Sequence, residues 1–333
     1  MKIALFELND FEKEYFTTHV QNHELVFFDK PLQKEDIATI SDIEVLVIFI
    51  YSHVTKDVLD KLPNLKFIST MSTGFDHIDV AECNKRKIVI SNVATYGEIT
   101  VAEHAFALLF AISRRIIESH DRVAEGKFNP EGLTGFDLYG KTLGVVGVGN
   151  IGAHVIRIAK GIGMEVLGYK RTPDPKLEAD LGFRIVDMDT LLEKSDIITL
   201  HLPYSKETHH FLGESQFAKM KNGVVVINTA RGALIDTEAL VMSLDSGKVQ
   251  AAGLDVLEEE PMLQEEKALL SQEFNKEALL HTLENHMLLD DKRVIITPHN
   301  AFNSQEALRR IVHTTKENIE GFASGTPQNV VSA

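Results

Sequence analysis

Short, nearly continuous apolar runs alternate with polar stretches of helical spacing along almost the whole chain. In the first hundred residues the runs are KIALFE (Lys2 to Glu7), LVFFD (Leu25 to Asp29), VLVIFI (Val45 to Ile50), KFIST (Lys66 to Thr70) and IVIS (Ile88 to Ser91). Polar segments such as TKDVLDKL separate most of them. Apolar runs without alternation predict strands covered on both faces. Strand, helix and strand in repetition predict a parallel sheet flanked by helices. A second series follows: TLGVVGVG, EVLGYK, DIITLHLP, GVVVINTA, VQAAGLDV and VIITPH. Between the series, the pattern predicts one long helix from Thr100 to Gly126 and then a looser segment, KFNPEGLTGFDLYG. That helix suits either a domain or dimer interface or the core of one domain. The chain closes on the helical pattern QEALRRIVHTTKENIEGF.

With 333 residues, the chain is long enough for two domains or one large one. Its 44% apolar and 25% charged content is that of a globular protein. A net charge of −15 argues against a nucleic-acid partner, which needs basic patches. An anionic substrate would need a locally positive pocket. Eleven acids and two lysines between Asp255 and Asp291 give that stretch −9, and it reads as a solvated surface excursion. Cys83 is the only cysteine, so no intrachain disulfide is expected, and a reducing, cytoplasmic setting fits. The start, MKIALFELND, lacks signal-peptide form, and the most apolar helical stretch, Ala105 to Ser113, is too short for a membrane. His209 and His210 invite a metal reading. Adjacent residues on a strand or helix point apart, and no carboxylate cluster at ligand spacing accompanies them, so no metal site is expected. His104 beside Glu103 reads as structural.

GVVGVGNIG places Gly147, Gly149 and Gly152 in G-x-G-x-x-G spacing, after an apolar strand and at the start of a helical run. That context predicts dinucleotide binding. Gly147 permits the tight turn, Gly149 lets backbone approach a pyrophosphate, and Gly152 lets helix and strand pack closely. The helix N-terminus, with Asn150 and Ile151, supplies amide donors. Eighteen residues after Gly152, at the end of EVLGYK, a ribose-binding acid is due, but the chain has Tyr169, Lys170 and Arg171. An ammonium cannot accept from ribose hydroxyls, whereas Lys170 and Arg171 suit a 2′-phosphate. The cofactor is therefore NAD or NADP, with a lean toward NADP or dual use. If both side chains face solvent, NAD binds through other contacts.

Three later motifs carry chemistry. NTARG places Arg231 just past a buried strand, LDVLEEEP supplies Asp255 and Glu260, and ITPHNAF places His299 at a strand end. Ligands in open α/β sheets bind at such strand ends. A cation for a carboxylate, an acid for a carbonyl oxygen and a group to tune that acid are what hydride transfer to a 2-oxo acid requires. Together with HLP (His201 to Pro203), STGFDHID (Ser72 to Asp79) and VAEHA (Val101 to Ala105), these motifs resemble the D-2-hydroxyacid dehydrogenases. The likeness covers essentially the whole chain and is strongest to the D-lactate dehydrogenase branch.

The resemblance implies an α/β fold of two doubly wound parallel-sheet domains. A Rossmann cofactor domain, 100–298, is inserted into a flavodoxin-like catalytic domain, 1–99 plus 299–333. It implies an active site in the cleft and a homodimer formed through the cofactor domain. By the same resemblance, Arg231 pairs with the substrate carboxylate and His299 protonates the carbonyl oxygen. Glu260 hydrogen-bonds His299 and favours its imidazolium near neutral pH. Asp255 faces the nicotinamide carboxamide, and Val101, His201, Pro203, Thr229 and Ala230 line the cofactor. Amides around Ser72, Thr73 and Gly74 receive the carboxylate, with Tyr96, Phe302 and Tyr51 at the pocket wall. Met71 stands where relatives often carry Arg, and Asn303 where lactate enzymes often have Tyr. Pyruvate is the first expected substrate, with bulkier 2-oxo acids open. A non-enzymatic NADH-sensing corepressor is the competing class, and formate or phosphite dehydrogenases fit the motifs less well.

Overall fold

The computed structural model describes residues 1–258 and 284–331. They divide into two compact units, Met1–Tyr96 with Asn303–Ala333, and Gly97–Phe302. Residues 97–99 and 299–302 thus group with the second unit, where the family resemblance implies they belong with the first.

In the first unit, β1 (Lys2–Leu5), β2 (Glu24–Phe27), β3 (Val45–Ile48), β4 (Phe67–Thr70) and β5 (Val89–Ser91) form one sheet in the order β2-β1-β3-β4-β5. Every pairing is parallel. That order is flavodoxin-like, with its switch point between β1 and β3. The helices are α1 (Asp10–His19), α2 (Lys56–Leu59) and α3 (Val80–Lys85). Asn9 and Glu12 start α1 by a reciprocal capping box. Ala4, Leu46, Ile48, Ile68 and Ile90 are buried in one core. β1 stops short of the predicted Glu7 because Glu7 turns into a left-handed conformation, φ 63°. Its carboxylate fills the switch point, accepting from Phe49 N (3.2 Å), Tyr51 N (3.0 Å) and Ser52 Oγ (2.5 Å). Burial pushes this carboxyl up, and the Ser52 hydroxyl and the amides oppose that shift.

The second unit opens on α4 (Glu98–Ser113) and α5 (Ile116–Ala124). Its sheet comprises β6 (Thr142–Val146), β7 (Glu165–Tyr169), β8 (Arg184–Ile185), β9 (Ile197–Leu200), β10 (Val224–Asn228), β11 (Val249–Leu254) and β12 (Val294–Ile296). Helices α6 (Asn150–Gly161), α7 (Pro175–Leu181), α8 (Met188–Lys194), α9 (Glu214–Lys219) and α10 (Thr237–Asp245) connect them. The order β12-β11-β10-β9-β6-β7-β8 is the doubly wound dinucleotide-binding arrangement, reversing between β6 and β9. The two-residue β8 is too short to show as an apolar run. The chain then returns to the first unit as α11 (Gln305–Ala323).

The single long helix expected over 100–126 is two helices. Arg115 adopts φ 50°, and the Ser113 carbonyl accepts from Phe136 N at 2.9 Å instead of from a continuing turn. Gly135 makes that approach possible, since a Cβ there would lie 2.1 Å from Ser113 O. The buried face of α4, including Ala102, Phe106 and Leu109, lies in the core of the dinucleotide-binding sheet. No helix among the described residues is long and apolar enough to cross a membrane.

Leu46, fully buried in β3, should be intolerant of truncation. Leu46→Ala is expected to cost about 2–5 kcal/mol of unfolding free energy. Met242→Ala, on an exposed face of α10, should stay within about 0.5 kcal/mol. Urea midpoints of the two variants check this.

Candidate active site

The glycine loop lies at the switch point of the seven-stranded sheet. Gly147 has φ 97°, and a Cβ on it would sit 2.5 Å from His201 O, so the β6 and β9 ends meet there only without a side chain. His201 N closes the contact by donating to Val146 O at 2.8 Å. A Cβ on Gly152 would lie 2.3 Å from Gly147 O, which excludes any larger residue at that helix–loop contact. Around Gly149, the N-cap of α6, a Cβ would meet nothing within 4 Å. Open space thus faces a helix N-terminus whose cap is backbone alone. Asn150 opens α6 and donates to Glu98 Oε1 at 2.5 Å. Ile151 packs against the unit's core, and Val101 lies on α4.

Two enclosed polar atoms face the same strand ends. His201 Nδ1 and Thr229 Oγ1 have no partner among the described residues. His201 Nε2 is 2.9 Å from Thr199 Oγ1, and burial pushes the imidazole down to about 3, so the ring is neutral at physiological pH. The open cradle and these two orphaned groups fit a nicotinamide dinucleotide. Pro203 is exposed, its carbonyl accepting from Thr208 Oγ1 at 2.9 Å.

The end of β7 differs from the picture drawn for it. Tyr169 packs toward Phe211, with ring centroids 6.1 Å apart. Lys170 Nζ is 2.9 Å from Asp174 Oδ2, whose other oxygen accepts from Leu177 N at 3.1 Å and caps α7. The Lys170 ammonium holds the Asp174 carboxyl below the usual carboxylate range. Arg171 is exposed. The Ser205 hydroxyl and then the Arg171 charge hold Glu207 below its ordinary range. One of the two basic groups is therefore already paired.

Arg231 and His299 follow β10 and β12 on this sheet, both half-buried. Asn228 braces the first turn, donating from Nδ2 to Arg231 O (2.8 Å) and accepting from Ala230 N (3.0 Å). Arg231 Nη1 donates to Ala230 O at 2.7 Å. Asp255, at 1% exposure, closes the second turn. Its carboxylate accepts from Asn300 N (3.0 Å), Ala301 N (2.8 Å) and the Thr297 hydroxyl, and its carbonyl accepts from His299 N (2.9 Å). His299 is held at φ 51° by this clasp. His104 Nε2 joins it, 3.0 Å from Thr297 Oγ1 and 3.5 Å from Asp255 Oδ1. His104, structural by its sequence context, thus belongs to the clasp, and the VAEHA motif is the sequence signal that marks it. Asp255 thus organises the turn that carries His299. Phe302 is half-buried. Glu260 lies outside the described residues.

In the first unit, Tyr51 follows β3, its amide held by Glu7. Ser72, Thr73 and Gly74 follow β4. Their carbonyls accept from Val93 N (3.1 Å), Asn92 Nδ2 (2.8 Å) and Ser72 Oγ (2.5 Å) respectively. Tyr96, 8% exposed, follows β5, and its carbonyl accepts from Arg310 Nε at 2.8 Å. Met71 is buried.

Comparison with known proteins adds three likenesses. Residues 106–301 match the family of the D-isomer specific 2-hydroxyacid dehydrogenase, NAD binding domain. D-lactate dehydrogenase of Escherichia coli is 35% identical, over 98% of each chain, and a glyoxylate reductase of Thermococcus litoralis is 37% identical over 88% of this chain and 85% of that one. D-lactate dehydrogenase of Aquifex aeolicus, solved with NAD and lactic acid, superposes with a TM-score of 0.88 at 33% identity, over 97% of this chain and 96% of that one.

His201 gives a pH prediction. Its folded value, about 3, lies below the ordinary 6.5, so below pH 6.5 the unfolded chain takes up a proton that the folded chain refuses. Stability is therefore lost as pH falls from 6.5 toward 3. Between pH 7.5 and 5 the wild type should lose about 1–2 kcal/mol more than His201→Gln, after allowance for a partly exposed ring. Urea unfolding of both at the two pH values measures it.

Proposed function

The chain belongs to the D-isomer specific 2-hydroxyacid dehydrogenase family, and on that premise we propose that it reduces a small 2-oxo acid, pyruvate first, to the D-2-hydroxy acid. The observation that carries this reading is the clasp of Asp255 on the His299 turn, on the same sheet as Arg231 and the glycine loop. The nicotinamide, when bound, supplies the hydride to the carbonyl carbon or takes it back.

In this reading Arg231 binds the substrate carboxylate with a planar fork that also orients the carbonyl. His299 gives a proton to the carbonyl oxygen on reduction and removes it on oxidation. Glu260 is assigned as its partner. Asp255, with Thr297 and His104 behind it, keeps the His299 turn in place. The amides of Ser72, Thr73 and Gly74 are assigned to the carboxylate, and Tyr51, Tyr96 and Phe302 to the substrate's other side.

NADH and NADPH are both assigned as cofactors. No acid ends β7 to repel a 2′-phosphate, and Arg171 supplies an exposed cation there. Lys170 contributes less, because Asp174 already neutralises it. A second copy of the chain is assigned to cover the exposed apolar side chains of α4 and α5, Phe110, Ile116, Ile117 and Val123. Burial pushes the Cys83 thiol up to about 11, so it is an inert core group. That is compatible with the proposed cytoplasmic setting.

Initial rates with pyruvate and glyoxylate, each with NADH and NADPH, test the reading. Arg231→Ala and His299→Phe should each lower kcat/KM by about 100-fold or more while binding of the reduced cofactor persists. Turnover that survives both substitutions would remove Arg231 and His299 from the reaction, and a wild type that binds the reduced cofactor but turns over neither acid would favour a binding protein. Arg171→Ala should lower kcat/KM for NADPH about tenfold and leave NADH nearly unchanged. No effect on either would place that side chain in solvent.

A further inference from the structure

The loop between β9 and α9 carries His209 and His210. Two neighbours in regular backbone point apart, but His210 has φ 49°, and the left-handed turn brings both imidazoles to one side. Their rings stack with centroids 3.9 Å apart at an interplanar angle of 21°. The turn is pinned to the segment after Arg231, with His210 N donating to Ala233 O (2.8 Å) and Leu212 N to Leu234 O (3.0 Å). The carboxylate that the local sequence lacks arrives from 48 residues away. Glu258, 6% exposed, places Oε1 at 2.7 Å from His210 Nε2. One ligand atom from each of His209, His210 and Glu258 lies within 4.8 Å of the others.

We propose that His209, His210 and Glu258 form a binding site for a borderline divalent cation of the zinc type. Two imidazoles and one carboxylate are the donor set such ions prefer over Mg²⁺ or Ca²⁺, and three protein ligands leave one position for water. The supporting shell is already built. Glu258 Oε2 accepts from Thr237 N (3.2 Å) and Thr237 Oγ1 (2.6 Å), which fixes the carboxylate. The Asp236 carboxylate lies 3.7 Å from His210 Nδ1, on the ring edge away from Glu258. A carboxylate behind the non-ligating nitrogen is the usual company of a metal-bound histidine. Zinc–ligand bonds of about 2.0–2.2 Å set neighbouring donors about 3.4 Å apart, so the 2.7 Å His210–Glu258 hydrogen bond opens around the ion while His209 draws inward. Exposed His209 has the freedom to do so, and it is the entry side. The bound ion joins the loop after His201-Leu202-Pro203 to the chain beyond β11.

The test is calorimetric titration of metal-stripped full-length protein with ZnCl₂ at pH 7.5, with MgCl₂ as control. His209→Ala and Glu258→Gln are run in parallel. The expected result is one saturable Zn²⁺ per chain, weakened at least tenfold by either substitution. Zn²⁺ should also raise Tm of the wild type and not of His209→Ala. His209 is at the surface, so His209→Ala should match the wild-type Tm without metal, and it carries the test alone if Glu258→Gln misfolds. Zinc binding of unchanged affinity in His209→Ala, or no saturation below millimolar zinc, overturns the proposal.

Discussion

A buried carboxylate is costly unless donors surround it, and the Asp255 side chain is surrounded by the turn it organises. Two of its donors are backbone amides of Asn300 and Ala301, which converge only because His299 takes a left-handed conformation. The charge and the turn therefore stabilise each other. The acid follows β11, the turn follows β12, and the parallel pairing of Ala252–Leu254 with Val294–Ile296 sets their register. Conformational strain at a non-glycine left-handed residue persists where the surroundings over-determine it. At His299 the surroundings are the carboxylate and carbonyl of one residue.

The two sheets converge on a related solution at their switch points. In the first, Glu7 folds back over the β1 end and binds the amides of Phe49 and Tyr51, which belong to the chain leaving β3. In the second, Gly147 gives up its side chain so that β6 and β9 can touch. One crevice is filled from within by a side chain, and the other is left open over the α6 N-terminus. That contrast is what makes the second sheet the nucleotide-binding one.

Much of this was legible in the sequence for a physical reason. Strands buried on both faces must be continuously apolar, and a loop that needs positive φ and close approach must spend glycines at fixed spacing. Long-range events were not legible. Arg114 and Arg115 are good helix formers, and only Phe136, arriving from the following loop, ends α4. His209 and His210 looked divergent because periodicity assumes regular backbone, which His210 does not have. Lys170 looked like a free cation because its partner, Asp174, reaches it only through the turn that starts α7. Asp255 could be assigned a ligand role by resemblance, but its grip on residues 297–301 depends on a strand pairing that no local pattern encodes.

The Lys170–Asp174 pair ties the end of β7 to the start of α7. Asp174 serves two masters, the ammonium of Lys170 and the first turn of α7. A mutation that installs an acid at 170 sets two carboxylates against each other at a helix start, and a mutation that first removes Asp174 strips α7 of its cap. Positions 170 and 174 are therefore coupled, and a charge change at one is tolerated only with a matching change at the other.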